Sequence, residues 1–351
     1  MKVLQVIDGY SFGGIAKFIQ DVSNNIKDID MDFLTAVNIK DEWINLGVSR
    51  KTIKGKIVFN YRLRKFLKKN KYDIIHINSA VFLFSFQVAF IAKISGIKKI
   101  IVHSHNVPKI SKLRRVIIKI LNPIYRRMTD VHLTCSNMAS SSLYTKNDDV
   151  ILIKNGIDID KYKYNEKTRN KIRKELNINN KIVYGHTGRF DNQKNHDFLI
   201  DLFYELQKDK DSVLLLVGTG PKEKDIKEKV KKIKLKNVIF LGFREDIEDI
   251  LSAMDIFIFP SLYEGLGISL IEAQTSGLPV VVSESIPEEA KISNNYIKMS
   301  TFNINEWVNV IKGIKINKRD NAYKNAIKNG YDIKTSSKEL EQIYKGGNYG
   351  V

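Results

Sequence analysis

The chain has 351 residues, of which 43% are hydrophobic and 28% charged, with a formal net charge of +19, six prolines and one cysteine. Length favours two domains, and the composition excludes extensive disorder, collagen-like repeats and a disulfide scaffold. The single Cys135 permits no internal disulfide and fits a reducing, cytoplasmic setting. In the first half, short β-branched runs predict strands at Val3–Ile7, Met31–Val37, Lys56–Phe59, Ile74–Ile77, Lys99–His103, Val131–Thr134 and Val150–Ile153. Helical patterns fall at Gly14–Ile26, Arg62–Lys69, Val81–Ser95 and Leu113–Met128. The polar stretch 158–180 reads as the interdomain connection, with 161–180 as the linker proper. A second series follows, with strands at Lys181–Thr187, Val213–Val217, Val238–Leu241, Ile256–Pro260 and Val280–Ser283. Its helices are His196–Gln207, Lys222–Ile233, Asp246–Ala253, Gly267–Ser276 and Asn305–Lys312.

This alternation is the mark of α/β domains with parallel sheets and crossover helices. Two Rossmann-like, doubly wound domains are expected, 1–160 and 181–320, with a site in a cleft at the carboxyl ends of their strands. A final helical stretch, Asn321–Tyr344, follows, and a frayed tail ends the chain. Charge is uneven: residues 1–160 hold 26 Lys and Arg against 13 Asp and Glu, net +13, while the rest is net +6. A basic first half suits a polyanionic partner, whether nucleic acid, anionic lipid or a phosphorylated substrate, and equally suits a merely solubilising surface. The N-terminal apolar run is five residues, broken by Asp8, too short for a signal-peptide core. The longest apolar stretch, 81–91, is half the length of a spanning helix.

Several strand ends carry chemistry. The first strand runs into Asp8-Gly9 and then Gly13-Gly14 before a helix, a turn that brings backbone N–H groups toward an anion or is simply tight. It lacks the dinucleotide spacing, and Ile15 stands where a P-loop needs Lys. His76 closes one strand, and His103 and His105 lie two apart at the end of another, on one face. No third ligand at metal-site spacing accompanies them, so a substrate-contacting or core histidine is the better reading. After the first strand of the second half, Arg189 and Lys194 flank a loop that opens a helix, a suitable diphosphate clamp. Gly218-Thr219-Gly220-Pro221 and Gly242-Phe243-Arg244 end neighbouring strands. The most informative stretch is an apolar strand, 255–260, followed by Glu264-Gly265-Leu266-Gly267-Ile268 and, inside the next helix, Glu272. Amides of Gly265, Leu266, Gly267 and Ile268 at a helix start suit a pyrophosphate, and Glu272 one turn in suits a ribose diol.

Glu264 and Glu272 form an E-x(7)-E motif that resembles the retaining glycosyltransferases of family 4, whose GT-B fold faces two Rossmann-like domains across a cleft. The likeness runs along nearly the whole chain. Gly13-Gly14 is similar to the family's N-terminal glycine loop, and His105 to its first-domain histidine near the transferred sugar, with His103 the alternative. Asn155-Gly156-Ile157-Asp158 is similar to N-G-[IV]-D, Arg189 and Lys194 to the phosphate pair, and Gly218 to Pro221 to the G-x-G-P turn. The segment 103–106 resembles capsular and exopolysaccharide transferases of bacteria.

What the resemblance implies is a metal-independent enzyme needing no cofactor. It would move a hexose or N-acetylhexosamine from a nucleoside diphosphate sugar, UDP, to an undecaprenyl-diphosphate-linked saccharide. His105, Glu264, Arg189 and Lys194 would be catalytic. Gly13, Gly14, Gly218, Phe243, Arg244, Gly265, Leu266, Gly267, Ile268 and Glu272 would bind the donor. The two D-x-D spacings, 28–30 and 158–160, sit in a polar loop and in N-G-I-D, and no metal role is expected of them. The basic, amphipathic segment 109–121 would hold the protein peripherally on the inner face of the membrane, and is otherwise an ordinary solvated helix. A sugar-nucleotide epimerase of the same fold, acting on UDP-N-acetylglucosamine, is the alternative enzyme. A nucleic-acid-binding protein fits less well, because aromatics are not interleaved with the basic runs.

Overall fold

The structure is a computed structural model that describes residues 1–8, 13–35, 43–47, 50, 52–106, 112–145, 149–208, 211–316, 318–319 and 321–347, with only the backbone for 111–114 where described. The chain divides into two compact units. The first comprises residues 1–157 together with the chain from Ile333 onward, and the second residues 158–332.

The first unit holds strands β1 (Lys2–Ile7), β2 (Asp30–Thr35), β3 (Ile44–Asn45), β4 (Ile74–Asn78), β5 (Lys99–Ser104), β6 (Val131–Thr134) and β7 (Ile151–Leu152). They form one parallel sheet in the order β3-β2-β1-β4-β5-β6-β7. Strands covered on both faces need apolar residues in continuous runs, not alternation, and Val3, Leu4, Val6 and Ile7 of β1 are all buried. Leu4, Val6, Ile75, Ile77 and Val102 face Phe59, Leu63, Val88 and Tyr125 of helices Ile53–Asn70, Phe82–Ile94 and Lys112–Met128. Val3, Ile7, Ile74 and Ile101 on the other face meet helices Gly14–Asn25 and Ile333–Lys345.

The second unit repeats the plan with β8 (Ile182–Thr187), β9 (Ser212–Val217), β10 (Val238–Gly242), β11 (Ile256–Phe259), β12 (Val280–Ser283) and β13 (Tyr296–Met299). Its parallel order is β10-β9-β8-β11-β12-β13. In each sheet the winding reverses once, between β1 and β4 and between β8 and β11. Crevices at the carboxyl ends of such pairs are where open α/β sheets take ligands.

One expected strand is corrected. Residues 56–59 lie inside helix Ile53–Asn70, not in a strand. The β-branched run Ile57-Val58 is outweighed by burial of Phe59, Leu63 and Leu67 at four-residue spacing. Thr52 caps the helix by accepting the Gly55 amide at 3.1 Å. Residues 36–37 of an expected strand lie outside the described residues. The stretch 161–180 lies in the second unit and contains helix Glu166–Glu175. Its Arg169 binds buried Asp255, one residue before β11, at 2.5 Å, and Arg173 binds the same carboxylate. The carboxylate also accepts the Val183 amide at 2.8 Å. This ties β8 to the start of β11. The final helical stretch is two helices, Tyr323–Lys328 in the second unit and Ile333–Lys345 in the first, separated at Gly330 with φ 70°.

Candidate active site

At the reversal point of the first sheet, His76 lies in β4, His103 in β5 and His105 just past its end. All three are buried, and the His103 and His105 rings are 3.9 Å apart. His105 Nε2 meets Asn78 Oδ1 at 3.0 Å, and His76 Nδ1 meets the Tyr344 hydroxyl at 2.7 Å. Burial pushes both His105 and His76 down to about 3, so both are neutral imidazoles at ordinary pH, and His103 is pushed well down by burial beside them. Ser79, after β4, donates to Asp8, after β1, at 2.7 Å. Gly13 is the N-cap of helix Gly14–Asn25, and both glycines are exposed. Gly9 lies outside the described residues. Gly156 of the N-G-I-D stretch is explained by packing: a Cβ there would stand 2.6 Å from Ser336 Oγ and 2.8 Å from Ile333 Cα of the final helix.

In the second unit the loops after β8 and β11 are pinned together. The Leu262 amide donates to Gln193 O at 2.8 Å, and Asp191 Oδ1 accepts the amides of Gln193 and Lys194 at 3.0 and 3.2 Å. Lys194 is thereby turned inward. Its ammonium lies 2.7 Å from Glu264 Oε1 and 4.5 Å from the centre of the Phe259 ring. Glu264 is buried, and this counter-ion is what makes its burial tolerable. Arg189 is exposed, so the two expected phosphate cations sit in different surroundings. Gly265, Leu266 and Gly267 are buried and lead into helix Ile268–Thr275. Gly267 has φ 88°, and a Cβ there would press on Phe259 at 3.2 Å, so glycine is required. The Leu270 amide donates to the Gly267 carbonyl at 2.9 Å, while the amides of Ile268 and Ser269 before it have no intrahelical acceptor, which makes the helix start electropositive. One turn in, Glu272 is buried and accepts the Tyr162 hydroxyl at 2.6 Å.

The remaining expected residues are held locally. Arg244 is engaged by Asp246 through two hydrogen bonds of 2.7 and 2.5 Å. Phe243 beside it is 65% exposed, an aromatic face open at the sheet edge. Gly218 has φ 129°, and a Cβ there would fall 2.1 Å from Gly188 O, so the loops after β8 and β9 demand it sterically. Of the D-x-D pairs, Asp28 meets Lys345 at 3.7 Å, Asp30 meets Lys2 at 3.9 Å, and Asp160 meets Lys163 at 2.6 Å. Among the described residues no group of three or more His, Cys, Asp or Glu comes together as a metal site.

Sequence reasoning missed Tyr162, Asn78, Thr187 and Ser261. Thr187 closes β8 and Ser261 follows β11, and the buried hydroxyl of each lacks a hydrogen-bond partner, as does His186 Nε2. Orphaned polar atoms at a sheet's reversal point mark a place prepared for a polar ligand. Their only signal in sequence was position at a strand's carboxyl end.

Two families match the chain in sequence order: Glycosyltransferase Family 4 over residues 31–161 and Glycosyl transferases group 1 over residues 168–333. The chain is 29% identical over 315 residues to the putative glycosyltransferase EpsF of Bacillus subtilis (strain 168), covering 82% of this chain and 80% of that one. It is 27% identical to the UDP-Gal:alpha-D-GlcNAc-diphosphoundecaprenol alpha-1,3-galactosyltransferase of Escherichia coli, covering 80% and 77%. The fold is that of Anabaena Alr3699/HepE, solved in complex with UDP-glucose, with a TM-score of 0.81 at 19% identity, covering 99% of this chain and all of that one. This likeness makes the architecture GT-B.

Proposed function

We propose that the chain, whose two halves match Glycosyltransferase Family 4 and Glycosyl transferases group 1, is a retaining, metal-independent glycosyltransferase of capsular or exopolysaccharide synthesis. Its donor is a UDP-hexose or UDP-N-acetylhexosamine, and its acceptor an undecaprenyl-diphosphate-linked saccharide. The observation that carries the donor reading is the pinned pair of loops at the β8–β11 reversal, where Lys194 meets Glu264 beside the start of helix Ile268–Thr275. The Escherichia coli relative, by its name, uses a UDP-sugar and a diphosphoundecaprenol acceptor, which supports both choices.

The reaction breaks the bond from the sugar's anomeric carbon to the diphosphate and forms one to the acceptor oxygen on the same face. The acceptor's proton passes to the departing diphosphate. Negative charge grows on that diphosphate, so fixed donors aimed at it lower the barrier. Arg189, Lys194 and the amides from Gly265 to Ile268 are those donors, so no metal is required. Glu264 orients the sugar and shares Lys194 with the diphosphate. Glu272, steadied by Tyr162, holds the ribose diol. Neutral His105 contacts the hexose as a hydrogen-bonding group without adding charge beside the reacting carbon.

The surface of the first unit supports a peripheral seat on the inner face of an anionic membrane. Helices Ile53–Asn70, Phe82–Ile94 and Lys112–Met128 pack side by side and contain 14 Lys and Arg and no Asp or Glu. Each carries an exposed apolar row: Ile53, Ile57 and Tyr61; Leu83, Phe90 and Ile94; Val116, Ile120 and Ile124. Among the described residues no helix is long and apolar enough to cross a membrane. Basic helices with outward apolar side chains suit the headgroup boundary. Residues 109–111 of the basic segment lie outside the described residues.

The test is transfer of labelled sugar from a panel of UDP-sugars to an undecaprenyl-diphosphate-linked saccharide. Transfer from one of them supports the reading. Consumption of UDP-N-acetylglucosamine without any acceptor would establish the epimerase instead, an activity that none of the relatives described above carries in its name.

A further inference from the structure

The buried polar centre of the first unit is wired in one direction. Asn78 Nδ2 donates to Gln5 Oε1 at 2.9 Å and to the His76 carbonyl at 3.2 Å. A carbonyl can only accept, so it is the amide nitrogen that faces this side, and Oδ1 must face His105. His105 Nε2, 3.0 Å from that oxygen, is therefore the protonated nitrogen. Gln5, its oxygen used by Asn78, donates from Nε2 to the Tyr344 hydroxyl at 2.8 Å. Tyr344 then has its own proton for His76 Nδ1, at 2.7 Å. Gln5, His76, Asn78, His105 and Tyr344 are all buried. The run thus ends in helix Ile333–Lys345, which the chain returns to the first unit after completing the second.

We propose that Asn78, anchored through Gln5 by Tyr344, is the positioning residue of His105, fixing the imidazole proton on Nε2 and leaving Nδ1 as an acceptor. The other neighbours of the ring do not fix the tautomer. His103 lies 3.9 Å away, ring to ring, Phe18 lies at 5.9 Å, and Cys135 Sγ donates to the His105 backbone carbonyl at 3.5 Å. Among the described residues Nδ1 has no hydrogen bond of good geometry, and the Asn155 side chain lies near enough to act on the ring as a hydrogen-bonding neighbour that partly offsets burial. That the positioning of this ring matters to transfer rests on the reading of His105 as the sugar-contacting histidine.

The experiment is long-range proton–nitrogen NMR of the full chain labelled at histidine nitrogen, with the six histidines assigned by single His→Gln variants. In the wild type, His105 is expected with Nε2 protonated and Nδ1 bare at neutral pH. Asn78→Leu is expected to give a mixture of both tautomers and a kcat lower by roughly tenfold, with donor KM unchanged, since only orientation is lost. Tyr344→Phe, which keeps the ring's packing, is expected to give the same change in smaller measure. A wild-type His105 protonated on Nδ1 overturns the proposal, as does an unchanged tautomer in Tyr344→Phe and Asn78→Leu. If Asn78→Leu does not fold, the wild-type spectrum and Tyr344→Phe decide. Full transfer by His105→Ala would instead overturn the reading of His105, and leaves the tautomer result to judge the wiring on its own.

Discussion

Glu264→Gln separates charge from shape at the centre of the donor site. In the free protein Lys194 and Glu264 are 2.7 Å apart with side chains only 14% and 7% exposed. A charge-assisted hydrogen bond is worth about 1.5–3 kcal/mol, and stripping one partner from a buried pair costs about 3–5 kcal/mol. The glutamine oxygen still accepts from Lys194, and the ammonium keeps some water, so the expected loss of stability is about 2 kcal/mol. The ammonium no longer shares its charge with a carboxylate, which leaves more of it for a diphosphate. UDP is therefore expected to bind Glu264→Gln as tightly as wild type or up to about tenfold more tightly, while transfer falls by roughly a hundredfold because the sugar loses its orienting acid. Lys194→Met is the contrast, weakening UDP by about ten- to a hundredfold. Calorimetry with UDP, transfer rates and denaturant unfolding report the three quantities separately. A tenfold loss of UDP affinity in Glu264→Gln would refute the argument, because Lys194 would then not be shared between carboxylate and diphosphate.

Glu272→Ala is expected to weaken UDP by about ten- to a hundredfold, and Tyr162→Phe by less, since Tyr162 only steadies the carboxylate; calorimetry giving Glu272→Ala wild-type affinity would remove the ribose role. Sedimentation with anionic but not zwitterionic vesicles is expected, weakening as salt rises, and is expected to drop when Lys112, Arg114, Arg115 and Lys119 become Gln or when Ile53, Ile57 and Tyr61 become Ser, with UDP affinity unchanged. Acid is expected to destabilise the protein below about pH 6.5. His76, His105 and His196 are held near 3 by burial, so between pH 3 and 6.5 the unfolded chain binds protons that the folded one does not. Stability therefore falls as pH drops through that window, by about 1.4 kcal/mol per histidine per pH unit at most, and a urea midpoint at pH 5.5 equal to that at pH 7.5 would contradict this.

The parts legible in sequence were those set by local pattern. Apolar runs such as 3–7 and 213–217 name buried parallel strands without further context, and Gly267 stands where the backbone needs a positive φ. The strand Ile44–Asn45 carries too few residues to show a period, and Tyr296–Met299, at the sheet edge with Lys298 exposed, lacks the continuous apolar run of the inner strands. Residues 56–59 misled because β-branched propensity is weaker than the packing of Phe59, Leu63 and Leu67. The pairing of Lys194 with Glu264 spans 70 residues, and that of Gln5 with Tyr344 spans 339. Such contacts are decided by which strands adjoin, so the acids and cations could be named from sequence while their partners could not. Gly218 likewise reads as a donor loop and Gly156 as part of a family motif, whereas what makes glycine necessary at each is the close approach of another backbone.

The central claim is retaining transfer from a UDP-sugar without a metal, and the anomeric configuration of the product tests it most directly. Proton NMR of the reaction, started from an α-linked UDP-sugar in the presence of EDTA, is expected to show an α-glycosidic product as its first signal, formed at the rate seen without chelator. A β-linked product would contradict retention, and activity lost to EDTA and restored by Mn²⁺ would contradict the assignment of the diphosphate's charge to Arg189, Lys194 and the amides of Gly265 to Ile268.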